Sequence, residues 1–197
     1  MGEIKSAWEI AMERVKEVES DPKGLREREL KDEGRRLAAS LFDPLEDHLS
    51  DVKKARSRFK GEDHQLVMDG IAEVCKSYVK LPTTEADSEA AMRAIKRAGE
   101  LAGVDPSPLT EQLTQIFGQY ISQREELAQQ LQARFADRLK RNEEQLARQT
   151  GRRVRLDPNQ DPEYGKALQA NMQALSDRYA GIVDQVRDEI DAMLRRT

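Results

Sequence analysis

From Leu109 through Thr150 the chain has no proline and one glycine, Gly118, and its apolar residues keep the step of a helix throughout. Leu113, Phe117, Tyr120, Arg124, Leu127 and Leu131 follow one another at spacings of 4, 3, 4, 3 and 4. Phe135, Leu139, Asn142 and Leu146 extend the series at 4, 4, 3 and 4. The seam is therefore heptad-like with one four-residue step too many, a stutter around Leu131–Leu139. An unbroken helix over 109–150 would run about 63 Å. A stripe of that length is not stable alone in water and needs an apolar partner.

The sequence offers one directly downstream. Thr150-Gly151 ends the first pattern, residues 152–160 are hydrophilic, and Asp161-Pro162 is a cap-plus-proline helix start. Tyr164, Leu168, Met172, Leu175, Tyr179, Ile182, Val186, Ile190 and Met193 then recur at spacings of three and four. A helix over 161–195 would reach about 52 Å. If the chain reverses at 151–160, the two stripes face each other as an antiparallel pair.

The first half reads as shorter helices. Ile4, Trp8, Ala11, Val15 and Val18 share one face, and Asp21-Pro22 interrupts them. Leu30, Gly34, Leu37 and Leu41 form the next stripe, with Ala38 beside it. Asp43, Pro44 and Glu46 make a helix-start signal, predicting a kink or a restart near 43, followed by a helix that uses Leu45, Leu49, Val52 and Phe59. After Lys60-Gly61-Glu62-Asp63, a further stripe uses Leu66, Val67, Ile71, Val74, Cys75 and Tyr78. Leu81-Pro82-Thr83-Thr84 closes it, and either threonine can cap an alanine-rich helix carrying Ala91, Ile95, Ala98 and Leu101. Ser107-Pro108 is expected to cap the long helix. The expected fold is all-α: an elongated helical bundle with a long antiparallel coiled-coil-like hairpin. Residues 1–104 form the N-terminal helical region and 105–197 the hairpin, packed together as one structural unit.

Composition narrows the function classes. No window approaches 18 uncharged apolar residues, so no transmembrane segment is expected. The opening MGEIKSAW lacks an apolar stretch before charges resume at Glu9, so a cytoplasmic location without a secretory leader is expected. The formal net charge is −4 and no long block is single-signed, which describes solvated helix faces better than a polyanion-binding funnel.

The residues that carry chemistry are sparse. His48 stands among Glu46, Asp47 and Asp51, and His64 follows Glu62-Asp63; neither has metal-ligand spacing. The single cysteine, Cys75, lies on an apolar stripe and reads as an inert core thiol. Phosphate-loop, dinucleotide-turn and nucleophile-elbow patterns are missing, and the two long C-terminal segments lack the histidines of a di-iron bundle. No catalytic, cofactor-binding or metal residue is assigned, and no cofactor is expected.

The best local surface feature is Arg148, Arg152, Arg153 and Arg155, around Gly151, in a stretch without an acidic residue from 145 through 156. Guanidinium forks pair with carboxylate or phosphate, and a hairpin tip would make them reachable. Thirteen of the 14 glutamines fall between 112 and 185, mainly on the proposed long helices. The leading expectation is a non-enzymatic scaffold or adaptor that contacts an unknown protein partner and forms a homodimer. A nucleic-acid-associated factor using the basic tip comes second. An enzyme whose site assembles from scattered carboxylates comes third.

Overall fold

The computed structural model describes residues 21–43, 45–152, 155–157 and 161–196. The apolar stripe from Ile4 to Val18 lies outside these residues. Among the described residues every regular element is a helix. They are α1 (Pro22–Leu41), α2 (Leu49–Arg56), α3 (Gly61–Tyr78), α4 (Glu85–Ala102), α5 (Ser107–Thr150) and α6 (Pro162–Arg195). The chain is an all-helical bundle, and none of its described helices is long and apolar enough to cross a membrane.

Aspartate before proline is the recurrent helix-starting device. Five of the seven prolines follow an aspartate: Pro22, Pro44, Pro106, Pro158 and Pro162. Asp21 Oδ1 accepts from the Gly24 N–H at 2.9 Å and opens α1. Asp105 Oδ1 accepts from the Ser107 N–H at 3.0 Å, at the start of α5. Asp161 Oδ1 accepts from the Glu163 N–H at 2.9 Å and opens α6. In each case the carboxylate satisfies an N–H that has no partner within its helix.

The helix restart comes later than expected from Asp43. The next helix begins at Leu49, and Leu45 is 89% exposed rather than part of a stripe. Asp43 Oδ1 accepts from the Leu45 N–H at 2.8 Å, and Asp47 Oδ1 accepts from the Leu49 N–H at 3.2 Å. These local bonds compete with the helical ladder and hold a loop. Pro44 itself lies outside the described residues. The short connection at Lys60 also ends sooner than the sequence implies, because α3 starts at Gly61, whose φ is +58°.

The chain divides into two compact units. One contains residues through Val79, Arg93–Ser107 and the stretch from Arg187 onward. Here α1 crosses α3 at unusually close range through Gly34 and Gly70: a Cβ on Gly34 would lie 2.1 Å from the Val67 carbonyl oxygen, and one on Gly70 would lie 2.1 Å from that of Lys31. Only a residue without a Cβ permits such an approach. Ala38, Leu41, Val67, Ile71 and Cys75 are buried on these helices, as are Ile95, Leu101, Ile190 and Leu194 elsewhere in the unit. The Phe42 and Tyr78 rings meet at 4.4 Å. Arg35 bridges α1 to Glu73 of α3 at 2.6 Å, and Lys76 reaches Asp191 at 2.7 Å.

The second unit contains Lys80–Met92 and Pro108–Val186. Its start is capped reciprocally: the Thr84 hydroxyl accepts from the Asp87 N–H at 3.2 Å, while the Asp87 carboxylate accepts from the N–H groups of Thr83 and Thr84. The long helices meet through rings. Tyr120 packs edge-on against Tyr179 at 5.3 Å, and Phe135 against Tyr164 at 5.5 Å. Positions rise along α5 as they fall along α6, so the approach is antiparallel. Leu113, Phe117, Leu131 and Leu139 are buried on α5, and Leu175, Val183 and Val186 on α6. Asn142, a seam position by spacing, is exposed, while the adjacent Glu143 is half-buried.

Candidate interaction surface at the hairpin tip

The tip is positioned from below by a clamp at its base. Arg138 of α5 donates to Asp161 and Glu163 at the start of α6. Its guanidinium carbon also lies 4.9 Å from the centre of the Phe135 ring, which itself meets Tyr164. The Arg138 hydrogen bond holds the Asp161 carboxyl below the usual carboxylate range, against the opposing effect of desolvation. The same pairing, first with Asp161 and then with Glu163, raises the Arg138 guanidinium above its ordinary value. Cap, ion pair and ring contact thus coincide where the two long helices are joined.

Above the clamp, α5 ends at Thr150. Gly151 follows with a φ of +69°, and its N–H donates to the Ala147 carbonyl at 2.9 Å. This is a left-handed helix stop, which glycine adopts without steric cost. Beyond it, the Leu156 N–H donates to Glu143 Oε1 at 2.7 Å and ties the connection back to α5.

Arg148, Arg152 and Arg155 are exposed. None of these three guanidinium groups has an ion-pair or hydrogen-bond partner among the described residues. Arg153 lies outside the described residues. Arg148 sits in the last turn of α5, where a cation also complements the negative end of the helix dipole. Of the nearby carboxylates, Glu143 accepts from the Leu156 N–H, and Asp161 and Glu163 accept from Arg138. The sequence shows the arginine run but not this second fact, because neither the clamp nor the Glu143 contact follows from spacing.

A groove of about 560 Å³ lies lower on the same unit, lined in part by Thr84, Ser88, Ile121, Arg124, Glu125 and Met172. Sequence reasoning did not find it. Its polar groups are poorly placed for covalent chemistry. The Thr83 and Thr84 hydroxyls are bound to Asp87, and Arg124 donates to the Pro82 carbonyl at 3.2 Å. Among the described residues the buried Ser88 hydroxyl has no hydrogen-bond partner and so no base bound to it for activation.

The two histidines remain apart. His48 is half-buried, with Asp43, Glu46 and Asp51 at 3.6–3.9 Å from its ring nitrogens. His64 is lowered from its ordinary value by desolvation and by nearby Arg56. Burial pushes the Cys75 thiol up to about 12, which disfavours the nucleophilic thiolate. Among the described residues no group of three or more His, Cys, Asp or Glu is placed to hold a metal ion.

A model described as a family of unknown function (DUF6657) matches residues 53–192. The chain belongs to that family. The DUF6657 match takes in α3 through the greater part of α6, and with them the groove, the Arg138 clamp and the tip arginines. No curated protein matches the chain, and no solved structure does.

Proposed function

We propose that this DUF6657 protein is a non-enzymatic cytoplasmic scaffold or adaptor whose hairpin tip contacts a protein partner. One observation carries the reading: Arg148, Arg152 and Arg155 stand exposed and have no ion-pair partner among the described residues, while Glu143 and Asp161 on the two flanks are engaged by other groups. A folding role would be expected to use such cations in pairs, as Arg138 is used. Large exposed guanidinium groups are also favoured contact residues in protein interfaces. The outer faces of α5 and α6 are rich in glutamine and mixed charge, which suits a helical support that remains soluble while it presents an end.

The test is comparative capture from a cell extract. The wild-type chain and an Arg148→Gln, Arg152→Gln, Arg155→Gln variant are immobilised at equal density, after unfolding curves establish equal stability. A partner retained by the first and lost by the second supports the reading, and an identical retained set rejects it. A homodimer belongs to the same proposal. Sedimentation over the micromolar range tests it, with a persistent 22.4 kDa species counting against it.

A further inference from the structure

We infer that the groove on the second unit binds a small amphipathic zwitterion, of the class of a short apolar peptide with both termini free. The inference goes beyond the scaffold reading of the tip and does not depend on it. The groove has a volume of about 560 Å³, within the range of about 300–1,000 Å³ that small-molecule sites occupy. Ile121, Arg124, Glu125 and Ala128 share one face of α5 through their three- and four-residue steps, and that face forms one wall. Met172 of α6 lines the groove too, as do Glu85 and Ser88 in the first turn of α4.

The charges around the groove select the ligand. Arg124 is half-buried, and its Nη1 donates to the Pro82 carbonyl at 3.2 Å, which positions the guanidinium and leaves other donors to spare. Among the described residues no carboxylate pairs with it. A partly desolvated cation is costly without an anion beside it. Arg97, also half-buried, pairs with both Asp47 and Glu100. A ligand carboxylate would supply the anion that Arg124 lacks.

That carboxylate cannot come alone. Glu85 and Glu125 line the same groove, exposed and without a cation among the described residues, so a plain anion would add a third negative charge to one positive. An ammonium on the same ligand removes the excess. Half-buried Ile121, Ala128 and Met172 offer apolar surface to its body. The Ser88 hydroxyl, buried without a hydrogen-bond partner among the described residues, gains one by turning toward a ligand oxygen.

The probe is trileucine, titrated into the full chain and followed by NMR at the Met172 methyl group. N-acetyl-trileucine, trileucine amide and the doubly capped peptide are the comparison probes. Saturable shifts at Met172 are expected, with trileucine binding roughly fivefold or more tighter than either singly capped peptide, on the scale of one ion pair lost. Arg124→Gln should abolish the preference for a free carboxylate, and Glu125→Gln should reduce the preference for a free ammonium. Ala128→Leu adds bulk to the wall and should weaken all four peptides at an unchanged unfolding midpoint.

No shift at Met172, equal affinity for the doubly capped peptide, or an intact carboxylate preference in Arg124→Gln would each overturn the inference. If Arg124→Gln loses the fold along with its bond to Pro82, the capped series on the native chain decides alone, and equal affinities reject the site. Partner capture through the tip is measured separately, so neither reading falls with the other.

Discussion

Replacing Gly34 by alanine adds one methyl group, and the structure sets a definite sign for its effect. The new Cβ would stand 2.1 Å from the Val67 carbonyl oxygen and 3.0 Å from the Gly70 Cα. Comfortable non-bonded contact begins near about 3.5 Å, so α1 and α3 would have to separate by more than about 1 Å. Both colliding groups are backbone atoms of a helix and cannot swing aside as a side chain would. Overpacking of this kind costs about 1–3 kcal/mol, and the rigid partners place it toward the upper part of that range. Alanine in a helix interior returns about 0.8–1 kcal/mol of propensity. The net expectation is a loss of roughly 1–2 kcal/mol, or about 2–8 °C in Tm for a chain of this size. Gly118→Ala is the internal control, since it is also mid-helix and nothing lies within 4 Å of its added Cβ. That change should stabilise by about 0.5–1 kcal/mol. Urea unfolding followed by far-UV circular dichroism, with unchanged m-values, measures both. A Gly34→Ala protein as stable as wild type would refute the close crossing.

The remaining predictions address charge and the thiol. The Thr83 hydroxyl, with further bonds from Lys80 and Thr84, holds Asp87 far below the usual carboxylate range. Its contribution is therefore fully present above the unfolded value of about 3.9 and is lost as pH falls through the folded value. Asp87→Asn should lower stability at neutral pH and flatten the acid limb, read from urea midpoints across an acid-to-neutral pH series. Cys75 should react with an aromatic disulfide reagent only at the rate of opening, because its thiol is buried and raised to about 12; rapid stoichiometric labelling of the native protein would contradict that. Arg138→Gln should return the Asp161 carboxyl toward its ordinary range and speed amide exchange at 161–164, while leaving the Tyr120–Tyr179 contact protected. NMR titration and hydrogen exchange report the two effects separately.

The long helices were legible because their information is local. A proline-free run with three- and four-residue apolar steps has few other ways to bury Phe117, Tyr120 and Leu131. The Asp-Pro starts were legible for the same reason, yet the one at Asp43 misled. A cap extends into a helix only if the residues behind it gain more from the helix than from an alternative. Behind Asp161 stands Tyr164, which is buried against Phe135; behind Asp43 stands Leu45, which is exposed. Asp47 then offers Leu49 a local bond instead. The Gly34–Gly70 crossing was half visible: Gly34 lay on the predicted stripe, but a close approach is a relation between two helices and carries no one-dimensional signature. The groove and the commitment of Glu143 were hidden for the same reason.

The distinction between Arg138 and the tip arginines turns this into a functional argument. Arg138 closes an electrostatic circuit within the chain, joining two carboxylates that also begin a helix. Removing it leaves Asp161 and Glu163 facing each other without a cation, so the cost should appear in folding. Arg148, Arg152 and Arg155 close no such circuit among the described residues, so their removal leaves no stranded carboxylate. Exposed substitutions of that kind usually change stability by less than about 0.5 kcal/mol. The two sets should therefore separate in paired measurements: Arg138→Gln shifts unfolding and local exchange, whereas the triple tip variant shifts partner capture at constant unfolding midpoint. The reverse pattern would mean that the tip cations belong to the framework and that the scaffold reading of the tip is wrong.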